Sequence, residues 1–166
     1  AAIVGSPGHG PGLSRMDTPL VPTLTLQPPV DLSPALNADA LYVAPATFHP
    51  ALQPLLDHRS AQGYRVALVD VAHIYAGWSG DAVDPASIRD FLRWVTAHSD
   101  RPPQALVLVG DGTSDPRNYL GLNRANLIPP YLLPVDPWLG ETACDTCFGQ
   151  MDGALPLDDP LPDIPV

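Results

Sequence analysis

Ala105-Leu106-Val107-Leu108-Val109 is a run of five apolar residues, followed at once by Gly110-Asp111-Gly112-Thr113-Ser114-Asp115. Without polar alternation, such a run suits a strand buried on both faces, as in a parallel sheet. It is expected in the middle of a small sheet. Asp111 then marks the polar rim, where the carboxyl ends of strands in open α/β sheets receive ligands. Two shorter apolar runs come earlier, Ala40–Ala44 before Pro45 and Arg65–Asp70, and both read as buried strands. Between them, Leu52, Leu55 and Leu56 share one helical face and Gly63 suits the residue past a helix end. Pro54 places the start of that helix near Ala51, because proline is tolerated only in the first turn. Val71 to Tyr75 reads as a short turn of helix and Gly77 to Val83 as a loop. Asp84-Pro85 starts a second amphipathic helix by mechanism: the aspartate caps free N–H groups and proline at the first position has none to lose. Ile88, Phe91, Leu92 and Val95 follow at helical spacing, and the helix closes near His98.

Strand, helix, strand, helix, strand with short links makes two βαβ units. Right-handed crossovers predict a doubly wound α/β sheet in strand order 2-1-3, flanked by helices in three layers. After Asp115 the pattern changes. Residues 126–134 read as an extended, proline-stiffened segment, and Cys147 to Met151 as a short strand. A further strand is expected to begin at Leu161–Val166. Residues 1–38 carry little periodicity and are expected to be an extended tail or linker from an upstream region, with Leu20 to Val30 lying along the surface as a strand. Residues 39–166 are then a single α/β subdomain.

Composition narrows the partners. The 166 residues include 18 acidic and 8 basic ones, for a net charge of −10. Nucleic acid needs clustered Lys and Arg, so it is excluded as a partner. No apolar run reaches the ~20 residues of a membrane helix, and the N-terminus has no signal-peptide pattern. Acidity fits solubility or cation binding.

The acids concentrate at Asp152, Asp158, Asp159 and Asp163. Residues 159, 161 and 163 alternate so that two carboxylates and the Leu161 carbonyl could face one hard cation, with Asp111 joining from the strand end. Calcium accepts six to eight oxygens in flexible geometry, but the EF-hand register is missing. A solvated acidic loop is the plainer alternative. Gly8-His9-Gly10 lies among prolines and reads as linker. Cys144-Asp145-Thr146-Cys147 lacks both the strand-to-helix setting of a redox site and the second pair of a zinc site. It reads as two incidental cysteines or a surface disulfide. The other histidines have no ligand spacing, there is no Walker lysine, and Pro45 stands where a phospho-acceptor pocket would need acids.

In order, Leu52–Arg59, Gln62–Val66, Val69–Tyr75, Ile88–Leu92, Leu106–Gly112 and Leu161–Ile164 resemble the gingipain-like (C25) cysteine peptidases. Val-Gly-Asp-Gly and Leu-Pro-Asp-Ile are the most specific pieces. The resemblance covers residues 39 to 166. It implies the N-terminal, non-catalytic subdomain of a caspase-like fold. The catalytic His and Cys would lie on a second subdomain that follows a Gly-Arg segment directly after Val166. None of the residues present is carried over as catalytic. The family also implies a structural calcium on Asp111, Asp152, Asp159 and Asp163, the cluster already reached from the acidic pattern. The expected role is to brace the downstream catalytic subdomain of the same chain, in an extracellular or cell-surface protein, inert alone. A free-standing interaction module related to the peptidase fold is the alternative. Pro165 departs from the family, so the last strand is expected at an edge or distorted.

Overall fold

The structure, a computed structural model, describes residues 30–138, 140–159 and 161–166. Three parallel strands form its sheet: β1 (Ala40–Ala44), β2 (Val66–Asp70) and β3 (Ala105–Leu108), in order β2-β1-β3. Ala40 pairs with both Val66 and Ala105, so β1 has neighbours on both sides. Leu41, Tyr42, Val43 and Ala44 are all buried, as a central strand without polar alternation requires. The expected order 2-1-3 and the three layers are present.

The centre of the sheet is β1, however, and not the 105–109 run. Of that run only Leu106 is buried. On its far side β3 meets the C-terminal segment through one hydrogen bond, Leu106 N–H to the Pro165 carbonyl, 3.0 Å. Residues 164–166 make no strand there. Proline brings an acceptor but no donor, so it cannot sustain a ladder.

Helix α1 (His49–Ala61) follows β1; α2 (Val71–Trp78) and α3 (Pro85–His98) follow β2. Right-handed crossovers on this strand order put α1 on one face and the α2–α3 pair on the other. The main core lies on the α2–α3 side. Leu41, Val43, Ala67, Val69 and Leu106 pack there against Ile74, Ile88, Phe91, Leu92 and Val95. Asp84 caps α3 by accepting from Ala86 N–H at 2.9 Å, with Pro85 next in line. Trp78 meets Phe91 edge-on at a centroid distance of 5.6 Å, closing α2 onto α3.

Helix α1 differs from expectation. It begins at His49, with Pro50 in its first turn and Pro54 inside it. Pro54 is exposed, so its lost hydrogen bond falls on the solvent side. Only Leu56 of the leucine face is buried, and Leu55 is 40 % exposed. Helix α2 is also longer than the single turn expected. Its start is capped by Asp70, whose carboxylate accepts from Ala72 N–H at 3.0 Å.

Leu132–Asp136 (β4) and Gly140–Ala143 (β5) form an antiparallel hairpin beside the sheet. Cys147 to Met151 is not a strand: Thr146–Phe148 forms one turn of 3-10 helix and buries Cys147 and Phe148. A 3-10 turn at Ser33–Ala35 buries Ala35, and Ala38 is buried too, so the core takes in residues placed in the tail by sequence. The expected surface strand at 20–30 lies, except for Val30, outside the described residues, as does Gly8-His9-Gly10. No helix among the described residues is long and apolar enough to cross a membrane.

Candidate functional site

Asp152, Asp159 and Asp163 come together. One carboxylate oxygen from each lies within 4.8 Å of the others, with Asp159 buried and the other two exposed. The segment carrying them is organised by Arg89 of α3, which is 3 % exposed. Its Nε donates to the Gln150 carbonyl at 2.6 Å, one terminal nitrogen to Ala154 at 3.1 Å, and the other to Asp152 at 2.8 Å and Gly153 at 3.3 Å. A guanidinium offers five donors in a rigid fork, and the loop wraps four carbonyls around it. Among the described residues no carboxylate lies within ion-pair distance of Arg89. The carbonyls thus face the arginine, while the Asp152 and Asp163 side chains are exposed and Asp159 is buried between them and the core.

The carboxylates also stitch the loop. Asp159 accepts from Asp152 N–H and Leu161 N–H, both at 3.2 Å. Asp163 accepts from Met151 N–H at 3.1 Å, and Asp158 from Ala154 and Leu155 N–H at 3.1 and 2.8 Å. The backbone of Asp163 returns to the Gly149 carbonyl at 2.8 Å. Gly149 is required at that crossing, because a Cβ there would collide with the Ile164 carbonyl.

Asp111 does not join this group. Its carboxylate accepts from Gly112 N–H at 3.0 Å, and its carbonyl accepts from Leu127 and Ile128 N–H at 2.8 and 3.2 Å. Gly112 lies so close to the Ile128 carbonyl that a side chain there would overlap it. Residues 110–113 are therefore clamped to 126–128 and not to the C-terminal acids. Asp111 instead lines a separate cleft of about 770 Å³, between β3 and the hairpin. The physical reason for the separation is where each loop is anchored. The C-terminal segment touches β3 at Leu106, whereas Asp111 lies beyond the end of that strand, in the turn held by residues 127 and 128. Leu161 remains beside the trio through its N–H, with its side chain 74 % exposed.

Sequence reasoning passed over Arg89. A signal was available: Pro85, Arg89, Leu92 and Thr96 share a helical row bordering the apolar stripe, and a charge in that row must find buried acceptors. The two cysteines are joined as a disulfide, Cys144–Cys147. Cys147 is buried, so the bridge ties the end of β5 to the core and is only partly at the surface.

Chemically, three carboxylates at this spacing suit a hard cation. Calcium, which accepts six to eight oxygens in flexible geometry, is one such ion.

Comparison with known proteins gives a consistent picture. No curated protein matches the sequence. Among solved structures, the chain is similar to the crystal structure of dimeric latent PorU from Porphyromonas gingivalis. The TM-score is 0.55 and the identity 21 %, over 69 % of this chain and 12 % of that one. At that identity the likeness shows the fold, and the chain spans a small part of that protein's length. The sequence matches Peptidase family C25 across residues 33–166, which takes in every strand and helix of the α/β unit. The chain belongs to peptidase family C25.

Proposed function

We propose that this chain is the N-terminal, non-catalytic subdomain of a gingipain-like cysteine endopeptidase of the cell surface or extracellular space. It braces the catalytic half, holds a structural calcium and is inert alone. The observation that carries the reading is the family match over the whole α/β unit, in a chain whose two cysteines are bound to each other. A cysteine peptidase attacks through a free thiolate, and a disulfide offers none. The same disulfide suits an oxidising compartment.

The calcium reading rests on Asp152, Asp159 and Asp163, whose oxygens lie close enough to share one ion. Asp111 is left out of the set because its loop is committed elsewhere. Bound calcium would neutralise the repulsion of the three carboxylates. Arg89 holds the carbonyls of residues 150 and 152–154, so the ligands the loop offers are the three carboxylates and the Leu161 carbonyl, with water completing the shell.

The test measures peptidase activity of this chain and of its Cys144→Ser and Cys147→Ser variants, alongside calorimetric titration with calcium. The expected results are no thiol-dependent turnover in any variant, and one calcium bound in a manner abolished by Asp159→Asn. Turnover by the chain that both cysteine variants lose would overturn the non-catalytic assignment. Absence of calcium binding would remove the metal alone.

A further inference from the structure

Residues 115–123 form a closed loop that holds its own shape. The Asp115 carboxylate accepts from Tyr119 N–H at 2.8 Å and from Leu120 N–H at 2.7 Å. Asn118 and Asn123 pair twice: Asn118 Nδ2 donates to Asn123 Oδ1 at 2.8 Å, and Asn123 N–H to Asn118 Oδ1 at 2.7 Å. Asn118, Gly121 and Asn123 take positive φ of 55°, 68° and 50°, the left-handed conformation that asparagine and glycine tolerate best. Polar groups are thus satisfied within the loop, and apolar side chains are left outside. Tyr119 is 80 % exposed, Leu120 71 % and Leu122 58 %. Compact loops whose ends are drawn together frequently carry function.

Single surface leucines need no explanation, but these two are not isolated. Leu120 and Leu122 line the 770 Å³ cleft together with Leu108, Ile128, Leu132 and Val166. In the same cleft lies β3, an edge strand whose outer side meets the C-terminal segment through one hydrogen bond. An unfilled strand edge therefore stands beside leucines already held in place. A surface organised before its partner arrives loses little freedom on association.

We propose that this cleft and the 119–122 tip form the surface on which the catalytic half of the same chain seats. The inference rests on the peptidase reading and adds to it the face that does the bracing. Val166, after which that half would follow, lines the cleft itself, so the chain enters the seat there. A tethered partner is held at roughly millimolar effective concentration. A few apolar side chains then suffice, where a free partner needs about 800 Å² on each side. A second copy is disfavoured by charge. Each copy carries −10, and Asp111, Asp115, Glu141 and Asp145 outnumber Arg124 around the cleft. The matching face of the catalytic half is apolar, with basic groups at its margin.

The experiment compares the full-length protein, as encoded, with the 166-residue chain by hydroxyl-radical footprinting of side chains. Labelling of Tyr119, Leu120 and Leu122 should fall several-fold in the full-length protein. Labelling of Leu55 and Tyr64, exposed in and just after α1, should stay the same. Leu120→Ser combined with Leu122→Ser should lower the melting temperature of the full-length protein by several degrees. The same pair should leave that of the 166-residue chain unchanged, as exposed substitutions usually do. Leu120→Met with Leu122→Met should keep most of the parent's stability. Thiol-dependent turnover by the full-length protein is scored separately: its absence counts against the peptidase reading, while lost labelling still supports the seat. Three results would each overturn the proposal. They are equal labelling of the leucines in both proteins, an equal effect of the serine pair on both melting temperatures, and protection in the 166-residue chain that rises with its concentration, which would assign the face to a second copy.

Discussion

Arg89 is the residue whose loss has the widest reach. Its four carbonyl partners belong to one loop, and each would be left without a donor in Arg89→Met. Breaking a buried charged network of this kind costs about 3–5 kcal/mol. Urea denaturation should show a loss of that size, with faster amide exchange over residues 150–159. Arg89→Lys should recover only part of it, because an ammonium cannot reproduce the fork. A methionine variant as stable as the parent would mean that the loop holds itself. A second residue with a readable signature is Asp39. It accepts from Arg65 N–H at 2.7 Å and from the guanidinium at 2.7 and 3.2 Å. Those side-chain and backbone hydrogen bonds lower its pKa to about 2. A carboxylate depressed in the folded state stabilises fully above its unfolded value and loses that contribution as pH falls through the folded one. The parent should therefore lose stability, relative to Asp39→Asn, as pH falls from about 4 to about 2. The stability difference between the two proteins, measured across that range, should shrink.

Helix α3 carries the packing and α1 does not, and stability measurements should separate them. Leu92 is fully buried, whereas Leu55 is 40 % exposed. Leu92→Ala should cost about 2–5 kcal/mol through lost contacts and a cavity. Leu55→Ala should stay within about 0.5 kcal/mol, as surface changes usually do. Asp84→Ala removes the cap of α3 and should cost about 1 kcal/mol. The element that sequence describes best is also the one that matters most. The stripe of α3 is local, regular and capped by neighbouring residues. Helix α1 misled because its three leucines are regular too, yet the sheet it covers has room for only one of them. Periodicity reports which side chains share a face and says nothing about whether a neighbour is there to cover them.

For the molecule as a whole, the distinguishing prediction is linkage to calcium. A ligand that binds only the folded state stabilises it by about 2.7 kcal/mol at a concentration one hundred times its Kd. For a chain of this size each kcal/mol moves the melting temperature by roughly 2–4 °C. Saturating calcium should raise the melting point by several degrees over chelator, and Asp159→Asn and Asp163→Asn should lose the shift. Asp111→Asn should keep it, since that carboxylate lies with a different cleft. An equal loss in Asp111→Asn would restore the residue to the metal set and contradict the separation seen here.

The three apolar runs, the Asp84-Pro85 start and the stripe after it were enough to set the α/β class and the order β2-β1-β3, and the spacing of the acids near the chain's end pointed to Asp152, Asp159 and Asp163 as neighbours. Each depends on residues close in sequence, or on a handedness that every L-polypeptide shares. Three matters were left to long-range packing. The 105–109 run, read as buried on both faces, buries only Leu106, because the chain's last residues meet it through a single hydrogen bond and no strand. Asp111 parted from the other acids because its loop is bound to residues 127 and 128, while theirs is wound around an arginine some sixty residues earlier in the chain. Among the described residues, Tyr75 was left with a buried, unpaired hydroxyl only once distant elements were packed around it. Local patterns fix which backbone shape a segment takes, but a side chain's partners come from whichever distant segment the fold lays against it.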